Sequence, residues 1–409
     1  MNIPLSRPDI TESEINCVSN VLRTPNLSLG PKLLEFEEKM AMYVGTKHAI
    51  AVNSGTSGLH IILKSFGIKK GDKVITPPFS FIASANAILF VEAEPVFVDI
   101  DENTLNIDPE NVEEVIVKEK SESARIKAIL LVHVFGQPCE MDKIMQIAKK
   151  HDIVIVEDAC EALGAEYGRK TKLGHKELSN KDSHVDVHTK SSKSTNSFEW
   201  RKVGAFGKAG VFGFYPNKQM TTGEGGIVVT DDENIEKLCK SLRNQGRKDD
   251  SSWLIHERLG YNYRISDINC ALGIVQLGRL EEMLLKRENI ANMYNERLRD
   301  IKEVQIPFIL PNVKMSWFVY VIRLGKQFSR MDRDKILYKL REKGIECSNY
   351  FSPIHLQPFY RKMFGYKEGD FPITEHSSER TIALPFFNNM SEKEVEYVVR
   401  GLKDAISSI

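Results

Sequence analysis

The chain has 409 residues, 42% of them hydrophobic, which is enough for a large core and suggests two domains. Lysine plus arginine and aspartate plus glutamate both number 56, so the formal net charge is zero and no general attraction to nucleic acid or to an anionic membrane is expected. The N-terminal stretch "MNIPLSRPDITESE" lacks an apolar signal core and no apolar run approaches membrane-spanning length, so a cytoplasmic location is expected.

The N-terminal segment is predicted to form two helices. Thr11 can cap the first helix, Glu14 completes a capping box, and Ile15, Val18 and Leu22 share one face. The second helix, "PKLLEFEEKMAMYVG", is expected to end at its last glycine.

Short β-rich runs then alternate with helical stretches. The runs are "HAIAVN", "KVITPPF", "PVFVDI", "IKAILLVHVFG" and "DIVIVEDA", followed by "GVFGFY" and "GGIVVTDD". Several are apolar on both faces, as buried parallel strands are. This alternation predicts an α/β domain with a doubly wound, mainly parallel sheet, whose site lies at the carboxyl ends of the strands.

The pattern changes from about Asp232 onward, where helical periodicity dominates until the predicted strand "WFVYVIRL". We therefore expect a large α/β domain over residues 1–245. A linking helix and a smaller C-terminal α+β domain are expected over residues 246–409.

The stretch from Lys170 to Trp200 interrupts this organisation. It is rich in Ser, Lys, His, Asn and Thr, has little to bury, and is predicted to be an exposed insertion. It contains His175, His184 and His188, but no carboxylates or cysteines that would converge with them on a metal. A solvated loop is therefore favoured over a metal site, and we expect no metal in this protein.

The six cysteines are scattered along the chain and include no C-x-x-C pair. Neither a structural zinc site nor a disulfide framework is indicated. Reduced thiols that serve as small apolar residues are the expected state.

The segment "GFYPNKQMTTGEGG" places Lys218 between an aromatic-proline turn and a glycine-rich turn. A nucleotide-binding Walker loop has its glycines before the lysine and Ser or Thr directly after it, so this order excludes that motif. A buried amine beside a tight turn is a candidate for Schiff-base formation, because burial and cationic neighbours favour the neutral amine that attacks a carbonyl. A surface lysine in a loop is the alternative when the segment is considered alone.

Two stretches add groups that suit such a lysine. The strand of "VIVEDACEALGAEYG" delivers Glu157 and Asp158 to its carboxyl edge, where a carboxylate can keep a pyridinium nitrogen protonated. An aspartate there is also a common helix N-cap. In "AIAVNSGTSGLH", residues 53–57 lead from a strand into a helix, and free amides and hydroxyls at that point can hold a phosphate.

A further stretch, "TPPFSFIASANA", places Phe81 after another predicted strand. An aromatic side chain there can stack on a flat ring, although a core phenylalanine explains the pattern equally well. Phosphate cup, ring platform, carboxylate and lysine, each at a strand end, are the groups that a pyridoxal phosphate enzyme needs.

The sequence resembles the DegT/DnrJ/EryC1/StrS family of sugar-nucleotide aminotransferases, which have the fold type I architecture of aspartate aminotransferase. The resemblance extends over nearly the whole chain. It is carried, in order, by the blocks "GPKLLEFEEKMAMYVG", "NSGTSGL", "GDKVITPPFSFIASANAI", "EDACEALGAEY", "GFYPNKQMTTGEGGIVVTDD", "LRNQGR", "GYNYRISDINCALG" and "SPIHLQPFY".

The resemblance implies a role for each matching residue. Lys218 would form the Schiff base with the cofactor, and Asp158 would pair with the pyridine nitrogen. The remaining cofactor contacts would be the Gly55 backbone, Thr56 and Ser57 at the phosphate, Phe81 over the ring, and Glu161 near the ring hydroxyl. Asn262 of "GYNYR" would reach the phosphate of the partner subunit, which implies a homodimer with shared active sites.

Three departures from the family pattern stand out. Many members have Ser five residues before the lysine as a phosphate contact, and this chain has Gly213 there. Glu161 stands where the family often has Gln or His. The insertion lies in a connector that is usually short.

The implied reaction is a transamination in two halves. L-Glutamate gives its nitrogen to pyridoxal 5'-phosphate, and the resulting pyridoxamine 5'-phosphate aminates a keto group of a nucleotide-linked sugar, with a 4-keto-6-deoxy sugar as the expected acceptor, for amino-sugar and surface polysaccharide biosynthesis. A pyridoxamine-dependent sugar dehydratase of the same family and a non-catalytic regulator are the alternatives. Lys218 argues against the dehydratase, which has His at that place, and the complete residue set argues against the regulator.

Overall fold

The computed structural model describes residues 1–121, 126–170, 198–248 and 255–409. Most of the predicted insertion, residues 171–197 with its three histidines, lies outside the described residues. Its expected character as an exposed loop therefore stays a prediction.

Strands of the described residues form three sheets. In chain order the strands are β1 (His48–Val52), β2 (Lys73–Thr76), β3 (Glu94–Phe97), β4 (Ile126–Val132), β5 (Val154–Asp158), β6 (Glu166–Lys170), β7 (Phe198–Lys202), β8 (Ala209–Gly213), β9 (Gly226–Thr230), β10 (Val304–Gln305), β11 (Val313–Lys314), β12 (Tyr320–Leu324) and β13 (Thr381–Leu384).

The large sheet has seven strands in the order β1-β9-β8-β5-β4-β2-β3. β9 runs antiparallel to β1 and β8, and the other neighbouring pairs are parallel. This confirms the predicted mainly parallel α/β sheet. All seven strands overlap the stretches that the sequence pattern marked as strands, and β3 and β8 begin one residue earlier, at Glu94 and Ala209.

Helices alternate with these strands and continue into the C-terminal part of the chain. They are α1 (Glu12–Leu22), α2 (Pro31–Val44), α3 (Gly55–Ser65), α4 (Ala83–Phe90), α5 (Pro109–Ser121), α6 (Met141–His151), α7 (Glu233–Arg243), α8 (Asp267–Gly278), α9 (Leu280–Leu298), α10 (Arg330–Glu342), α11 (Pro358–Phe364), α12 (Pro372–Arg380) and α13 (Glu392–Ser407).

Both faces of the large sheet are covered, because alternate residues of each strand point to opposite faces. In β1, Ala49 and Ala51 pack with Phe36 of α2, whereas Ile50 packs in a different cluster with Leu59 of α3. Strands buried in this way read as continuous apolar runs, which is why the sequence pattern identified them.

Local sequence explains where α1 begins and where α2 begins and ends. Thr11 and Glu14 form the predicted capping box of α1. α2 has Pro31 in its first turn, where the missing N–H costs nothing, and ends at Gly45 with φ of +83°, a conformation that glycine adopts without strain.

The C-terminal part of the chain has a core of its own around the three-stranded sheet β10-β12-β13, against which α9, α10 and α13 pack. Helix α8 belongs to the large core instead, where Ile274 packs with Phe36. Along α9, Met283 packs in the large core and Ile290 in the small one. The change of core therefore lies in α9, within the range for which a linking helix was predicted, and the division at residue 245 stays a prediction.

A third sheet has the order β11-β6-β7 and lies at the ends of the insertion. β6 and β7 pair antiparallel, with Lys170 opposite Phe198. The residues from Phe198 to Trp200 were expected to belong to the polar insertion, and the structure places them in β7. They pair because Gly168, Arg169 and Lys170 of β6 offer a backbone partner that the local composition does not reveal.

Three features of the described residues bear on the class of protein. None of their helices combines the length and the apolar character that a membrane crossing requires. Within the same residues, no group of three or more His, Cys, Asp or Glu side chains is placed to hold a metal ion. The six cysteines are free thiols, as the scattered spacing predicted.

A buried carboxylate ties the N-terminal helix to the large core. Glu14 is 1% exposed and accepts hydrogen bonds from Gln276 (2.8 Å) and Arg279 (2.7 Å). Burial by itself raises the pKa of this carboxyl, but hydrogen bonds from Thr11, Arg279 and Gln276 outweigh it and lower the pKa to about 2.

We expect Glu14→Gln to destabilise the protein at pH 7, by about 1–3 kcal/mol on the scale of hydrogen bonds to charged groups. Because the folded pKa lies below the unfolded value, the stabilisation is complete above about pH 4.5 and is lost as the pH falls toward 2. Urea unfolding between pH 7 and pH 3 should show the difference from wild type shrinking over that range. Exposed Glu12→Gln, in the same helix, is the control; parallel pH curves for Glu14→Gln and wild type would contradict the assignment.

Candidate active site

A cavity of about 600 Å³ opens where strands of the large sheet end. Residues that follow β1, β2, β5 and β8 line one side, and Phe318, Asn349, Tyr350 and Phe351 of the C-terminal part line the other. The carboxyl ends of parallel strands meet at one edge of a sheet, which explains why segments far apart in sequence converge here.

Lys218 reaches into this cavity from the turn after β8. Its Nζ lies 3.6 Å from Oε1 of Glu161 and 3.8 Å from the centroid of the Phe318 ring. The side chain is only 14% exposed. The predicted buried amine is therefore present, and it is not the surface lysine that the segment alone allowed.

The backbone at Lys218 is held by a buried cation. The guanidinium of Arg287 in α9 donates hydrogen bonds to the carbonyls of Lys218 (3.2 Å), Trp317 (3.2 Å) and Phe318 (3.1 Å). One side chain thus joins the lysine turn to the segment that carries the Phe318 ring. Burial lowers the pKa of Arg287 to about 10, so the group keeps its charge at neutral pH.

Asp158, the last residue of β5, lines the cavity. Ser84 donates a hydrogen bond to its Oδ2 (2.6 Å), and the amide of Cys160 donates to its Oδ1 (3.1 Å). These two bonds fix the orientation of the carboxylate. Such a carboxylate can bind a protonated pyridine nitrogen.

Glu157, the residue directly before Asp158, points away from the cavity. Its carboxylate is fully buried and accepts hydrogen bonds from the amides of Gly204 (2.7 Å), Phe206 (2.7 Å) and Gly207 (2.5 Å). His133 is also 3.0 Å from it through Nε2. The amide of Cys139 donates to Nδ1 of His133, so Nε2 carries the proton and donates to Glu157.

The predicted phosphate cup lies at the start of α3. Gly55 and Thr56 line the cavity, and Ser54 caps the helix. The amides of Gly55 and Thr56 donate no hydrogen bond to any other described residue, which leaves two donors at a helix N-terminus for an anion. A Cβ at Gly55 would stand 2.7 Å from Sγ of Cys160, so only glycine allows this close approach.

The hydroxyl of Ser57 is engaged within the cup. It donates to Oδ1 of Asn53 (2.7 Å) and lies 2.9 Å from the hydroxyl of Ser54. Ser57 does not line the cavity in the single chain, unlike Thr56. Its role at the phosphate stays a prediction.

Glu161 lies beside the lysine. Its Oε2 accepts the amide of Phe135 (2.9 Å), and its side chain is 6% exposed. Burial raises the pKa of the Glu161 carboxyl, and the charge of Lys218 opposes that shift only in part.

Phe81 and Asn262 are both exposed, and only one of them reaches the cavity. Phe81 lines it and is 62% exposed, which excludes the alternative of a core phenylalanine. Asn262 lies on the surface, and its backbone bridges to Asn244. Gly213, where the family often has Ser, lines the cavity next to Gly55.

Several residues of the site were not found from the sequence. They are Ser84 beside Asp158, Phe318 beneath the lysine, and Asn217 and Tyr350 at the cavity wall. Ser84 lies in a block that the sequence analysis had singled out for Phe81, so its position was a usable signal. Phe318 and Tyr350 come from the C-terminal part of the chain, where they pack in one cluster with Phe79 and Val132. No local pattern points from them to the lysine.

The cavity fits pyridoxal phosphate, because free amides, a glycine cradle, an oriented carboxylate and a buried amine surround one space. Fold and site together define a fold type I, pyridoxal phosphate-dependent enzyme. The model of the DegT/DnrJ/EryC1/StrS aminotransferase family matches residues 8–403, and the chain belongs to this family. It is a sugar aminotransferase that uses pyridoxal phosphate as its cofactor.

Similar proteins cover the chain from end to end. The spore coat polysaccharide biosynthesis protein SpsC of Bacillus subtilis is 36% identical over 99% of this chain and 97% of its own length. GDP-perosamine synthase of Caulobacter vibrioides is 32% identical over 99% and 98%. Spr1654 of Streptococcus pneumoniae, whose structure is known in PMP and PLP forms, has a TM-score of 0.86, with 28% identity over 100% of this chain and at least 99% of its own.

Glu157 and Asp158, adjacent in β5, should respond differently when the carboxylate of each is replaced by an amide. Glu157→Gln replaces an oxygen that accepts buried amides with a group that also donates, so we expect a loss of about 3–5 kcal/mol in stability, as for other broken buried charge networks. Asp158→Asn should leave stability within about 1 kcal/mol of wild type and instead weaken cofactor retention and activity.

Urea unfolding of the cofactor-free proteins measures the first effect, and the visible absorption of the dialysed holoenzyme measures the second. The two variants serve as controls for each other. A large stability loss in Asp158→Asn, or none in Glu157→Gln, would show that the two roles are assigned the wrong way round.

Proposed function

We propose that this protein transfers the amino group of L-glutamate to the keto group of a nucleotide-linked sugar, with a 4-keto-6-deoxy sugar as the preferred acceptor. The observation that carries the proposal is the placement of Lys218 and Asp158 on one cavity of about 600 Å³. That volume exceeds what a cofactor alone requires and leaves room for a sugar beside it. The similarity to GDP-perosamine synthase and to a spore coat polysaccharide protein supports a sugar destined for a polysaccharide.

Lys218 is the residue that handles protons in this proposal. When bound, the cofactor supplies an electron sink for the carbanion that forms when the amino carbon loses its proton. As a neutral amine, Lys218 Nζ would move that proton between the amino carbon and the cofactor carbon on the other side of the nitrogen, in both halves of the reaction. Its placement between Glu161 and the Phe318 ring holds Nζ in position for both transfers.

Asp158 and the start of α3 hold the two ends of the cofactor. Asp158, oriented by Ser84 and by the Cys160 amide, would bind the pyridine nitrogen. The amides of Gly55 and Thr56 would bind the phosphate through a helix N-terminus, which favours negative charge. Phe81 and Glu161 would contact the ring face and the ring hydroxyl.

We further propose that the active site is shared within a homodimer. Among the described residues that line the cavity, Lys218 is the only lysine or arginine, whereas Asp158, Glu161 and Glu224 are carboxylates. The cofactor phosphate, the sugar-linked phosphates and glutamate all carry negative charge, so one chain offers too little positive charge for them. Asn262, exposed on the surface, would add a donor from the partner subunit.

The reaction is tested by incubating the enzyme with L-glutamate and a panel of UDP-, dTDP- and GDP-linked 4-keto and 3-keto sugars, with products identified by mass. We expect an amino sugar from a 4-keto-6-deoxy substrate. Lys218→Ala should lower turnover by about three or more orders of magnitude, because it removes the base that moves the proton.

Borohydride reduction of the wild type followed by peptide mapping provides the direct check on the lysine. A pyridoxyl mass on a lysine other than Lys218 would contradict the assignment. Formation of 2-oxoglutarate without any amino sugar across the panel would contradict the proposed acceptor and leave the lysine in place.

The dimer is tested through Asn262. Asn262→Ala should weaken cofactor retention. Dilution should also release more cofactor as the dimer dissociates, because cofactor binding and subunit association are linked. Absorbance of the retained cofactor and sedimentation at several protein concentrations measure both. Asn103→Ala removes an exposed asparagine elsewhere and should match wild type; equal retention in all three proteins would rule out the Asn262 contact.

A further inference from the structure

The two oxygens of the Glu161 carboxyl face different neighbours. Its Oε2 is anchored by the amide of Phe135 at 2.9 Å, and its Oε1 lies 3.6 Å from Nζ of Lys218. Because one oxygen is held by the backbone, the other is directed at the amine. The pair lies inside the cavity, where the exposed fraction is 6% for the Glu161 side chain and 14% for that of Lys218.

Hydrogen bonds on both backbones hold this separation. The side chain of Gln219, directly after the lysine, donates to the carbonyl of Glu161 (2.6 Å) and to the hydroxyl of Ser316 (2.9 Å). Arg287 holds the carbonyl of Lys218 (3.2 Å). The backbones that carry the carboxyl and the amine are therefore held in place by the fold.

The groups around Glu161 favour a proton on its carboxyl. Burial raises its pKa, the charge of Lys218 and the amide of Phe135 lower it, and the nearby carboxylate of Asp158 raises it; the balance is a raised pKa. Tyr350 and Cys160 also face this region, and burial raises the pKa of both, so they stay neutral near pH 7. Lys218 is thus the partner with which Glu161 can share a proton.

We propose that Glu161 is a second catalytic residue, which exchanges a proton directly with the Lys218 amine. An O–H bond forms on Oε1 as an N–H bond on Nζ breaks, and the reverse transfer restores the ammonium. No electrons change hands and no further reactant is needed. The inference rests on the proposed function, because it takes Lys218 as the reacting amine.

The exchange explains why a glutamate suits this place. A lysine has to be neutral both to attack the cofactor and to accept a proton from the substrate. Glu161 takes up the proton that the amine must lose, without releasing it to solvent. A glutamine at the same place can hydrogen-bond the cofactor but cannot accept that proton.

The proposal predicts a particular pH profile. With Glu161 present, the pair shares one proton over a wide pH range, and part of the population has a neutral amine throughout that range. With Gln at residue 161, no carboxyl is present to take the proton, and we expect the neutral amine to become rarer as the solution becomes more acidic.

The experiment follows attachment of pyridoxal phosphate to cofactor-free enzyme by its visible absorption band, between pH 5.5 and pH 10. We expect the wild-type rate to vary little across the range. Glu161→Gln should be about tenfold or more slower at pH 6 and should converge with wild type at pH 10. Glu161→Asp keeps an acid at the site and should recover part of the rate at pH 6.

Controls separate this inference from the proposed function. Glu166→Gln removes a glutamate that pairs with Lys202 (3.3 Å) and Lys314 (2.7 Å) outside the cavity, and it should keep the wild-type profile. Identical profiles for wild type and Glu161→Gln, with borohydride mapping still placing the cofactor on Lys218, would overturn the proton exchange alone. Attachment to another lysine would overturn the proposed function as well.

Should Glu161→Gln fail to fold, Glu161→Asp decides the question. A slower rate for Glu161→Asp at pH 6 that recovers at pH 10 supports the exchange. An unchanged profile in a variant whose carboxyl lies one carbon further from the amine would refute it.

Discussion

The buried carboxylate of Glu157 holds together the part of the fold on which the active site depends. It accepts the amides of Gly204, Phe206 and Gly207, which lead into β8, and the Nε2–H of His133, which follows β4. A charge buried among four donors is stable, whereas the same charge with donors missing would be costly. This one group therefore fixes the ends of β4, β5 and β8 relative to one another.

The geometry of the site follows from that arrangement. Since successive residues of a strand point to opposite faces, anchoring Glu157 turns Asp158 into the cavity, where Ser84 orients it. β8 pairs with β5, so the turn that carries Lys218 arrives beside Asp158. Two acidic residues that are adjacent at a strand end thus take different positions: Glu157 is a buried structural carboxylate, and Asp158 faces the cavity.

The C-terminal part completes the cavity through a small number of strong contacts. Arg287 joins Lys218 to the Phe318 segment, and Asp99 accepts the amides of Ile373 and Thr374 at the start of α12. These contacts place an aromatic wall opposite the phosphate cup. They also enclose the Glu161–Lys218 pair, in which a shared proton becomes useful only because solvent is largely excluded.

The sequence by itself determined the features that local chemistry and periodicity encode. These are the buried strands, the α1 capping box, the doubly wound sheet, and the order of cup, carboxylate and lysine at successive strand ends. Only the tertiary structure decided which face each side chain takes and which distant segments meet. Ser84 and Asp158 are 74 positions apart, and the change of core within α9 and the pairing of β7 with β6 likewise depend on contacts across the fold. Periodicity reports how much of a segment is buried, but the identity of its neighbours depends on strand order and on the packing of two cores, which no single segment contains.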